Sequence, residues 1–168
     1  MLRSRPVIFV CEGNTCRSPM AEVMARQDLA DLDARFASAG LAARAGAPAT
    51  EEAQAVLVEL GLDLGGHRAR PVSVVPWGEA AWAIAMTRAQ AVRLRSAGAG
   101  AGGCRIGVLG APGVDLAGGG PSPACEEVAD PWGGDRDAYR AAAAQIRRLL
   151  AAWRPVLGAP VDDGKDAG

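Results

Sequence analysis

Short apolar segments alternate with helical patterns along this 168-residue chain. Continuous runs of four or five mainly apolar residues are typical of strands that are buried on both faces of a sheet. Such segments predict four strands, over residues 7–10, 35–38, 82–86 and 105–109.

Apolar residues at helical spacing predict four helices, over residues 18–30, 51–60, 88–96 and 136–153. Thr50, Thr87 and Asp135 precede the last three helices and are suitable N-caps, while Gly61 ends the second helix. The expected inner faces are Met20, Val23, Met24 and Leu29 in the first helix, Ala53, Val56, Leu57 and Leu60 in the second, and Tyr139, Ala142, Ile146, Leu149, Leu150 and Trp153 in the last.

This alternation predicts a single-domain α/β fold, three layers deep and doubly wound around a parallel sheet, with ligands bound at the carboxyl ends of the strands. The expected domain covers residues 1–154. Residues 97–103 and the Gly- and Pro-rich residues 110–123 are expected to be loops, the second of them mobile. Residues 155–168 are expected to form a flexible tail.

The segment between the first strand and the first helix carries the most informative chemistry. Backbone N–H groups from Glu12, Gly13, Asn14, Thr15, Cys16 and Arg17 can surround one anion at the helix N-terminus. Cys11 would lie at the bottom of this loop, where the donors and a hydroxyl from Ser18 or Thr15 stabilise a nucleophilic thiolate. The Arg17 fork can bind two oxygens of a tetrahedral oxyanion. A phosphoryl group meets both requirements.

Two residues give this loop its expected shape. Gly13 permits a positive φ and close approach of the backbone to a ligand, and Asn14 tolerates the left-handed region. Pro19, directly after Ser18, suits the first turn of a helix. Together these features favour a phosphate-binding loop over an ordinary turn around a buried cysteine.

Residues 10–22, Val-Cys-Glu-Gly-Asn-Thr-Cys-Arg-Ser-Pro-Met-Ala-Glu, resemble the phosphate-binding loop of the low-molecular-weight phosphotyrosine protein phosphatases. The resemblance extends from about residue 7 to residue 150 and implies a four-stranded doubly wound sheet. It implies a cysteine-dependent phosphatase that works through a phosphocysteine intermediate, without metal or other cofactor.

Further site residues are assigned by the same resemblance. Asp130, in an Asp-Pro-Trp-Gly-Gly segment, resembles the family's general acid and would serve afterwards as the base for water. Trp132 matches an aromatic wall at the mouth of the pocket, although the sequence alone favours a core residue. His67 and Ser38 resemble residues that hold the loop asparagine, here Asn14. Each of them would be a support residue.

Thr15 bears on the choice of substrate. Tyrosine phosphatases of this family usually carry a larger aliphatic residue there, and threonine resembles the bacterial protein arginine phosphatases of the same family. A small hydroxyl-bearing side chain leaves room beside the phosphoryl group, and Asp130 can bind a planar guanidinium. We expect phosphoarginine to be the substrate. Phosphotyrosine is the alternative, and it would apply if threonine at position 15 were only a tolerated β-branched exchange.

Composition limits the remaining possibilities. The net charge of -1 gives no global attraction for nucleic acid or an anionic membrane, and no apolar run has the length of a membrane span. The cysteine spacing and the single histidine argue against a zinc site. We expect a cytoplasmic enzyme that acts on a phosphorylated protein as a monomer or weak homodimer.

Two other classes of function and one redox role stay open. An arsenate reductase would need closely spaced relay cysteines, whereas Cys104 and Cys125 lie 21 positions apart. A non-catalytic phosphoprotein-binding module would need neither Cys11 nor Asp130. Cys16 is either a small packing residue or the thiol that captures oxidised Cys11 as a disulfide.

Overall fold

The computed structural model describes residues 4–160, which form a four-stranded parallel sheet in the order β2-β1-β3-β4. The strands are β1 (Val7–Cys11), β2 (Phe36–Gly40), β3 (Trp82–Ala85) and β4 (Arg105–Val108). All four strands expected from the apolar segments are confirmed, with ends that shift by one or two residues.

The alternation of side chains along β1 explains why both faces of the sheet are covered. Val7, Phe9 and Cys11 face one apolar cluster, while Ile8 and Val10 face another, and every one of the five is buried. A strand that buries both of its faces needs a layer of structure on each side. The doubly wound, three-layer arrangement follows from this pattern.

The helices lie on these two faces. They are α1 (Arg17–Asp28), α2 (Glu51–Glu59), α3 (Arg88–Ser96), α4 (Arg136–Ala151) and α5 (Arg154–Leu157). The apolar cluster around Phe9 contains the buried faces of α1, α2 and α4. The cluster around Val10 contains the buried face of α3. It also contains buried residues of two short 3-10 turns, Val72–Val74 and Trp77–Glu79.

The three predicted N-caps are confirmed. The side chain of Thr50 accepts a hydrogen bond from the Ala53 N–H, and that of Thr87 accepts one from the Gln90 N–H, each at 3.2 Å. Asp135 accepts the Ala138 N–H at 2.9 Å. Each contact satisfies a donor that the first turn of a helix leaves free.

The prediction was wrong about Leu60, which does not join the inner face of the second helix. Helix α2 ends at Glu59, and Leu60 is 42% exposed at its C-cap.

Residues 101–103 of the expected loop form a single 3-10 turn. Residues 110–123 contain no helix or strand, but the side chain of Asp115 accepts the Ile106 N–H and Leu116 donates to the Ile106 carbonyl. These bonds hold the loop against the free edge of β4.

The chain after α4 is more ordered than the sequence indicates. Trp153 is fully buried and donates its indole N–H to the Leu109 carbonyl at 2.8 Å. It leads into α5, whose Val156 and Leu157 pack against the larger core cluster. The first residues of the expected tail are therefore helical, and residues 161–168 lie outside the described part of the chain.

The strand order determines where a ligand can bind. From β1 the chain moves to one side of the sheet to form β2 and then to the other side to form β3. The carboxyl end of β1 is thus the point at which the strand order reverses, which is where open parallel sheets bind their ligands. Cys11 is the last residue of that strand.

Candidate active site

The nucleophile candidate Cys11 is buried at the carboxyl end of β1, 1% exposed. Its Sγ lies 3.0 Å from the Ser18 Oγ, which belongs to the first turn of α1. A hydroxyl that donates to sulfur stabilises the thiolate, the form in which cysteine is nucleophilic. Residues 11–18, called the cradle below, bring the end of β1 and the beginning of α1 around this sulfur.

Asn14 fastens the cradle through nearly all of its polar atoms. Its φ of 54° lies in the left-handed region. Its side-chain Nδ2 donates to the hydroxyls of Ser18 and Ser38, both at 2.9 Å, and its Oδ1 accepts the Arg70 N–H at 2.9 Å. His67 Nε2 lies 2.7 Å from the Asn14 carbonyl oxygen. The sequence placed Ser38 and His67 beside Asn14, and the structure brings both into contact with it.

A residue that the sequence analysis did not assign extends this network. The Ser38 hydroxyl donates to Glu22 Oε2 at 2.5 Å, and Glu22 also forms an ion pair with Arg26. Glu22 lies on α1 and Ser38 on β2, 16 positions away in the sequence, so the contact depends on how these two elements pack together. Nothing in the local sequence signals this contact.

Two glycines have different relations to the cradle. Gly13, for which the sequence allowed a positive φ, does not adopt one, whereas Asn14 does. Gly40 on β2, opposite Cys11 in the sheet register, packs directly against the cradle. A Cβ at Gly40 would lie 2.8 Å from the Asn14 nitrogen and the Glu12 oxygen, closer than real Cβ contacts allow. Close approach of the loop therefore requires glycine at position 40.

Arg17 connects the cradle to the segment that carries the acid candidate. Its side chain is 5% exposed, and its Nη1 donates to the Val128 carbonyl at 3.0 Å. Its Nη2 donates to Asp130 Oδ2, also at 3.0 Å. Its Nε has no hydrogen-bond partner among residues 4–160. The guanidinium and the Asp130 carboxylate thus meet at the mouth of the cradle.

Asp130 lies on a short irregular segment, residues 128–134, called the acid loop below. Its Oδ1 accepts the Trp132 N–H at 3.1 Å, and its side chain is 45% exposed. Gly133 has a φ of 80°, a left-handed conformation that lets the chain turn toward α4. Trp132 is 73% exposed, so it is not a core residue.

Cys16 lies between the nucleophile candidate and the acid candidate. It is buried, and its Sγ lies 3.6 Å from Asp130 Oδ1, at which distance the thiol donates a weak hydrogen bond. Burial, the sulfur of Cys11 and the charge of Asp130 raise the pKa of Cys16 to about 12. Cys16 is therefore a thiol at neutral pH, and neither it nor Cys11 forms a disulfide.

Thr15 and Glu12 occupy the more open part of the cradle, and both are partly exposed. The Thr15 carbonyl accepts the Thr50 N–H at 2.9 Å, which ties the beginning of α2 to the cradle. The Thr15 hydroxyl lies near Gly13, 3.4 Å from where a Cβ on that glycine would stand. Glu12 forms an ion pair with Arg93 of α3, a partner that the sequence does not indicate.

Two properties of the described part of the chain bear on the class of protein. Within residues 4–160, no cluster of three or more His, Cys, Asp or Glu side chains has an arrangement that could hold a metal ion. In the same residues, no helix combines the length and the apolar character required to cross a bilayer.

The fold and this constellation of cysteine, arginine and aspartate are those of a phosphatase. The family model described as "Low molecular weight phosphotyrosine protein phosphatase" matches residues 6–162. The chain belongs to that family.

Individual proteins named for three different activities are similar to this chain. A probable low molecular weight protein-tyrosine-phosphatase, EpsP of Ralstonia nicotianae, is 29% identical over 92% of this chain and 97% of its own. A solved YwlE arginine phosphatase with a phosphorylated active-site serine is 28% identical, with a TM-score of 0.76 over 96% of this chain and 97% of its own. An arsenate reductase of Staphylococcus aureus is 39% identical over only 39% of this chain and 47% of its own.

Proposed function

We propose that this protein is a cysteine-dependent protein phosphatase that removes the phosphoryl group from phosphoarginine side chains of a protein substrate. The family and its phosphatase chemistry support the general reaction, and the side chain at position 15 supports the choice of arginine. The observation that carries the choice is Thr15, a small and partly exposed side chain of the cradle whose hydroxyl lies near Gly13.

The first chemical step transfers the phosphoryl group to sulfur. The Cys11 thiolate attacks phosphorus, the P–N bond to the guanidine breaks, and Asp130 supplies the proton that the departing nitrogen needs. Backbone N–H groups of the cradle and the Arg17 fork stabilise the charge on the transferring oxygens. The products of this step are phosphocysteine and an arginine side chain.

The second step returns the enzyme to its starting state. Asp130, now a carboxylate, takes a proton from water as that water attacks the phosphorus, and the P–S bond breaks. Inorganic phosphate leaves, and Cys11 is again a thiolate whose charge the Ser18 hydroxyl stabilises from 3.0 Å. One acidic residue thus serves both steps in turn.

The contact between Asp130 and Arg17 adds support for an arginine substrate. Asp130 Oδ2 accepts a hydrogen bond from a guanidinium nitrogen of Arg17 at 3.0 Å. A substrate phosphoryl group would compete for Arg17, and its own guanidine would then stand next to the Asp130 carboxyl group. Once Asp130 has given its proton to the departing nitrogen, its carboxylate pairs with the arginine product, and such a charge-assisted bond is stronger than a neutral bond to a phenol.

Phosphotyrosine is the second candidate substrate, because the exposed Trp132 side chain suits an aromatic ligand. This side chain, 73% exposed beside the acid, offers an aromatic face on which a phenyl ring can stack.

An arsenate reductase that relays a disulfide through Cys104 has less support. Cys104 precedes β4 at the amino edge of the sheet, whereas Cys11 ends β1 at the carboxyl edge, and β3 lies between these two strands.

Matched phosphoarginine and phosphotyrosine peptides, compared by kcat/KM, test this proposal. The wild type should prefer phosphoarginine, and Thr15→Ile should shift the ratio toward phosphotyrosine by at least about tenfold, or about 1.4 kcal/mol. The added bulk and the lost hydroxyl act next to the phosphoryl group and its attacking water.

The control is Thr15→Val, which removes the hydroxyl but keeps the volume of the side chain. A ratio that responds to Ile but not to Val would assign the effect to space, and equal responses would assign it to the hydroxyl. A wild type that prefers phosphotyrosine, or a ratio unchanged in Thr15→Ile, would refute the arginine assignment and leave a tyrosine phosphatase.

A further inference from the structure

Glu12 presents an electrostatic problem for an anion-binding loop. It follows Cys11 directly, and its backbone belongs to the cradle that would receive a phosphoryl group. An unpaired carboxylate on the residue next to Cys11 would disfavour both the Cys11 thiolate and the phosphoryl oxygens, because like charges repel one another over several ångströms.

Arg93, 81 positions away in the sequence, contacts this carboxylate with both ends of its fork. Its Nη1 lies 2.5 Å from Glu12 Oε2, and its Nη2 lies 3.1 Å from Oε1. This bidentate geometry fixes the orientation of both groups and is the strongest arrangement that an ion pair of these residue types adopts. Hydrogen bonding to Glu12 raises the pKa of Arg93 above its ordinary value, as expected for a pair in which both groups are charged.

The surroundings of the pair show that it does not hold the loop together. The Glu12 carbonyl already accepts the Ala42 N–H at 2.8 Å, and the Cys11 carbonyl accepts the Leu41 N–H at 3.0 Å. The side chains of Arg93 and Glu12 are 51% and 42% exposed, and exposed ion pairs contribute little to folding stability. The ion pair therefore acts mainly by neutralising the Glu12 carboxylate and contributes little to the shape of the cradle.

We propose that Arg93 is a positioning residue for phosphoryl binding: it neutralises and orients the Glu12 carboxylate so that a dianionic group can enter the cradle. The proposal needs only that the cradle binds a phosphoryl group, and it holds for phosphoarginine and phosphotyrosine alike. Arg93 acts through Glu12 and need not touch the substrate.

The test compares Arg93→Met, Glu12→Gln, the double variant and wild type. Methionine keeps an apolar stem but cannot rebuild a hydrogen bond to residue 12. The dissociation constant of inorganic phosphate is measured by calorimetry, and KM and kcat are measured with p-nitrophenyl phosphate. Circular dichroism verifies that each variant is folded.

Arg93→Met should weaken phosphate binding about threefold to tenfold at low salt, with a rise in KM larger than the fall in kcat. The double variant should return to within about twofold of wild type, because it has no carboxylate left to neutralise. High salt should shrink the defect of Arg93→Met by screening. Arg93→Lys should bind phosphate nearly as well as wild type, since it keeps the charge.

Arg95→Met is the matched control. Arg95 is two residues further along α3 and lies beside Gly119, so this variant removes the same charge from the same helix without unpairing Glu12. It should bind phosphate like wild type.

Three results would overturn the proposal. They are wild-type affinity in Arg93→Met, an equal loss in Arg95→Met, and a double variant as weak as Arg93→Met. The last result would make the pair a structural tie. Failure of wild type itself to hydrolyse p-nitrophenyl phosphate would instead count against the phosphatase activity.

Discussion

The cradle and the acid loop differ in how firmly the rest of the molecule holds them. Asn14 and Ser18 in the cradle are completely buried, and Asn14 is bonded to Ser18, Ser38 and Arg70. In the acid loop, the side chain of Asp130 is 45% exposed and Trp132 is 73% exposed, and Asp130 contacts Arg17, Cys16 and its own turn.

This difference fits a division of chemical labour. Donors that stabilise developing charge work best when they are fixed before the reaction, since reorganisation during the reaction costs free energy. A proton donor must instead meet leaving groups of different shapes, and an exposed loop on a rigid scaffold can do so. We infer that changes at the buried residues of the cradle, such as Cys11, Asn14 and Ser18, impair every substrate. The effect of a change at Asp130 in the acid loop should instead depend on the leaving group.

The largest effect is expected from Cys11→Ser. A hydroxyl at this position has no comparable route to its anion, so turnover should fall to background while vanadate or phosphate still binds in part. Steady-state hydrolysis of p-nitrophenyl phosphate checks this. The control Cys125→Ser changes a thiol outside the cradle and should keep wild-type activity. Measurable turnover in pure Cys11→Ser protein would exclude the covalent mechanism.

The next effect in size is expected from Asp130→Asn. If Asp130 is the general acid, kcat/KM for a phenyl phosphate, which reports the transfer to sulfur, should fall by about 10² to 10⁴, and less for a leaving group that needs no proton. A plot of kcat/KM against the leaving-group pKa for a series of aryl phosphates measures this. Asp137→Asn, at the exposed start of α4, should stay near wild type. A uniform loss across the series would indicate structural damage instead.

A smaller effect is expected from Ser38→Ala, which removes a partner of Asn14 and of Glu22. Leaving buried polar groups without a partner should lower the free energy of unfolding by about 1–3 kcal/mol. Activity should fall for all substrates alike, while Cys11 still reacts with iodoacetamide. The exposed Ser96 hydroxyl bonds only within its own helix, so Ser96→Ala should change neither property. Unaltered stability and activity in Ser38→Ala would mean that Asn14 is held without it.

The smallest change in resting activity is expected from Cys16→Ser, and its effect should appear under oxidation. We predict that peroxide inactivates wild type reversibly, because Cys16 captures the sulfenic acid of Cys11 as a disulfide that a thiol reductant opens. Cys16→Ser should be lost permanently at the same dose, and Cys125→Ser should recover like wild type. Full recovery of Cys16→Ser would leave Cys16 as a packing residue and a weak donor to Asp130.

The sequence was sufficient for features that depend on neighbouring residues. The apolar run of β1, the left-handed Asn14 and the three N-caps all follow from short-range patterns. These patterns also locate Cys11 at the end of its strand. For that reason the fold class and the cradle were predictable.

Other features depend on how distant segments meet. Gly40 matters because the register of β2 places it against Asn14, and Arg93 matters because α3 passes beside Glu12. Helix α5 has only four residues, too few to show a helical period, so its packing against the core was not foreseen. In each case the decisive contact is tertiary and leaves no local signal.

The central claim is that Cys11 in the fixed cradle takes the phosphoryl group and Asp130 in the acid loop governs its release. Rapid-quench mass spectrometry of Asp130→Asn with p-nitrophenyl phosphate tests this directly, because its good leaving group permits the first step while the missing base slows the second. The predicted result is accumulation of close to one phosphoryl group per protein, located on Cys11. No covalent phosphoryl group at any time, or one on another residue, would contradict the account.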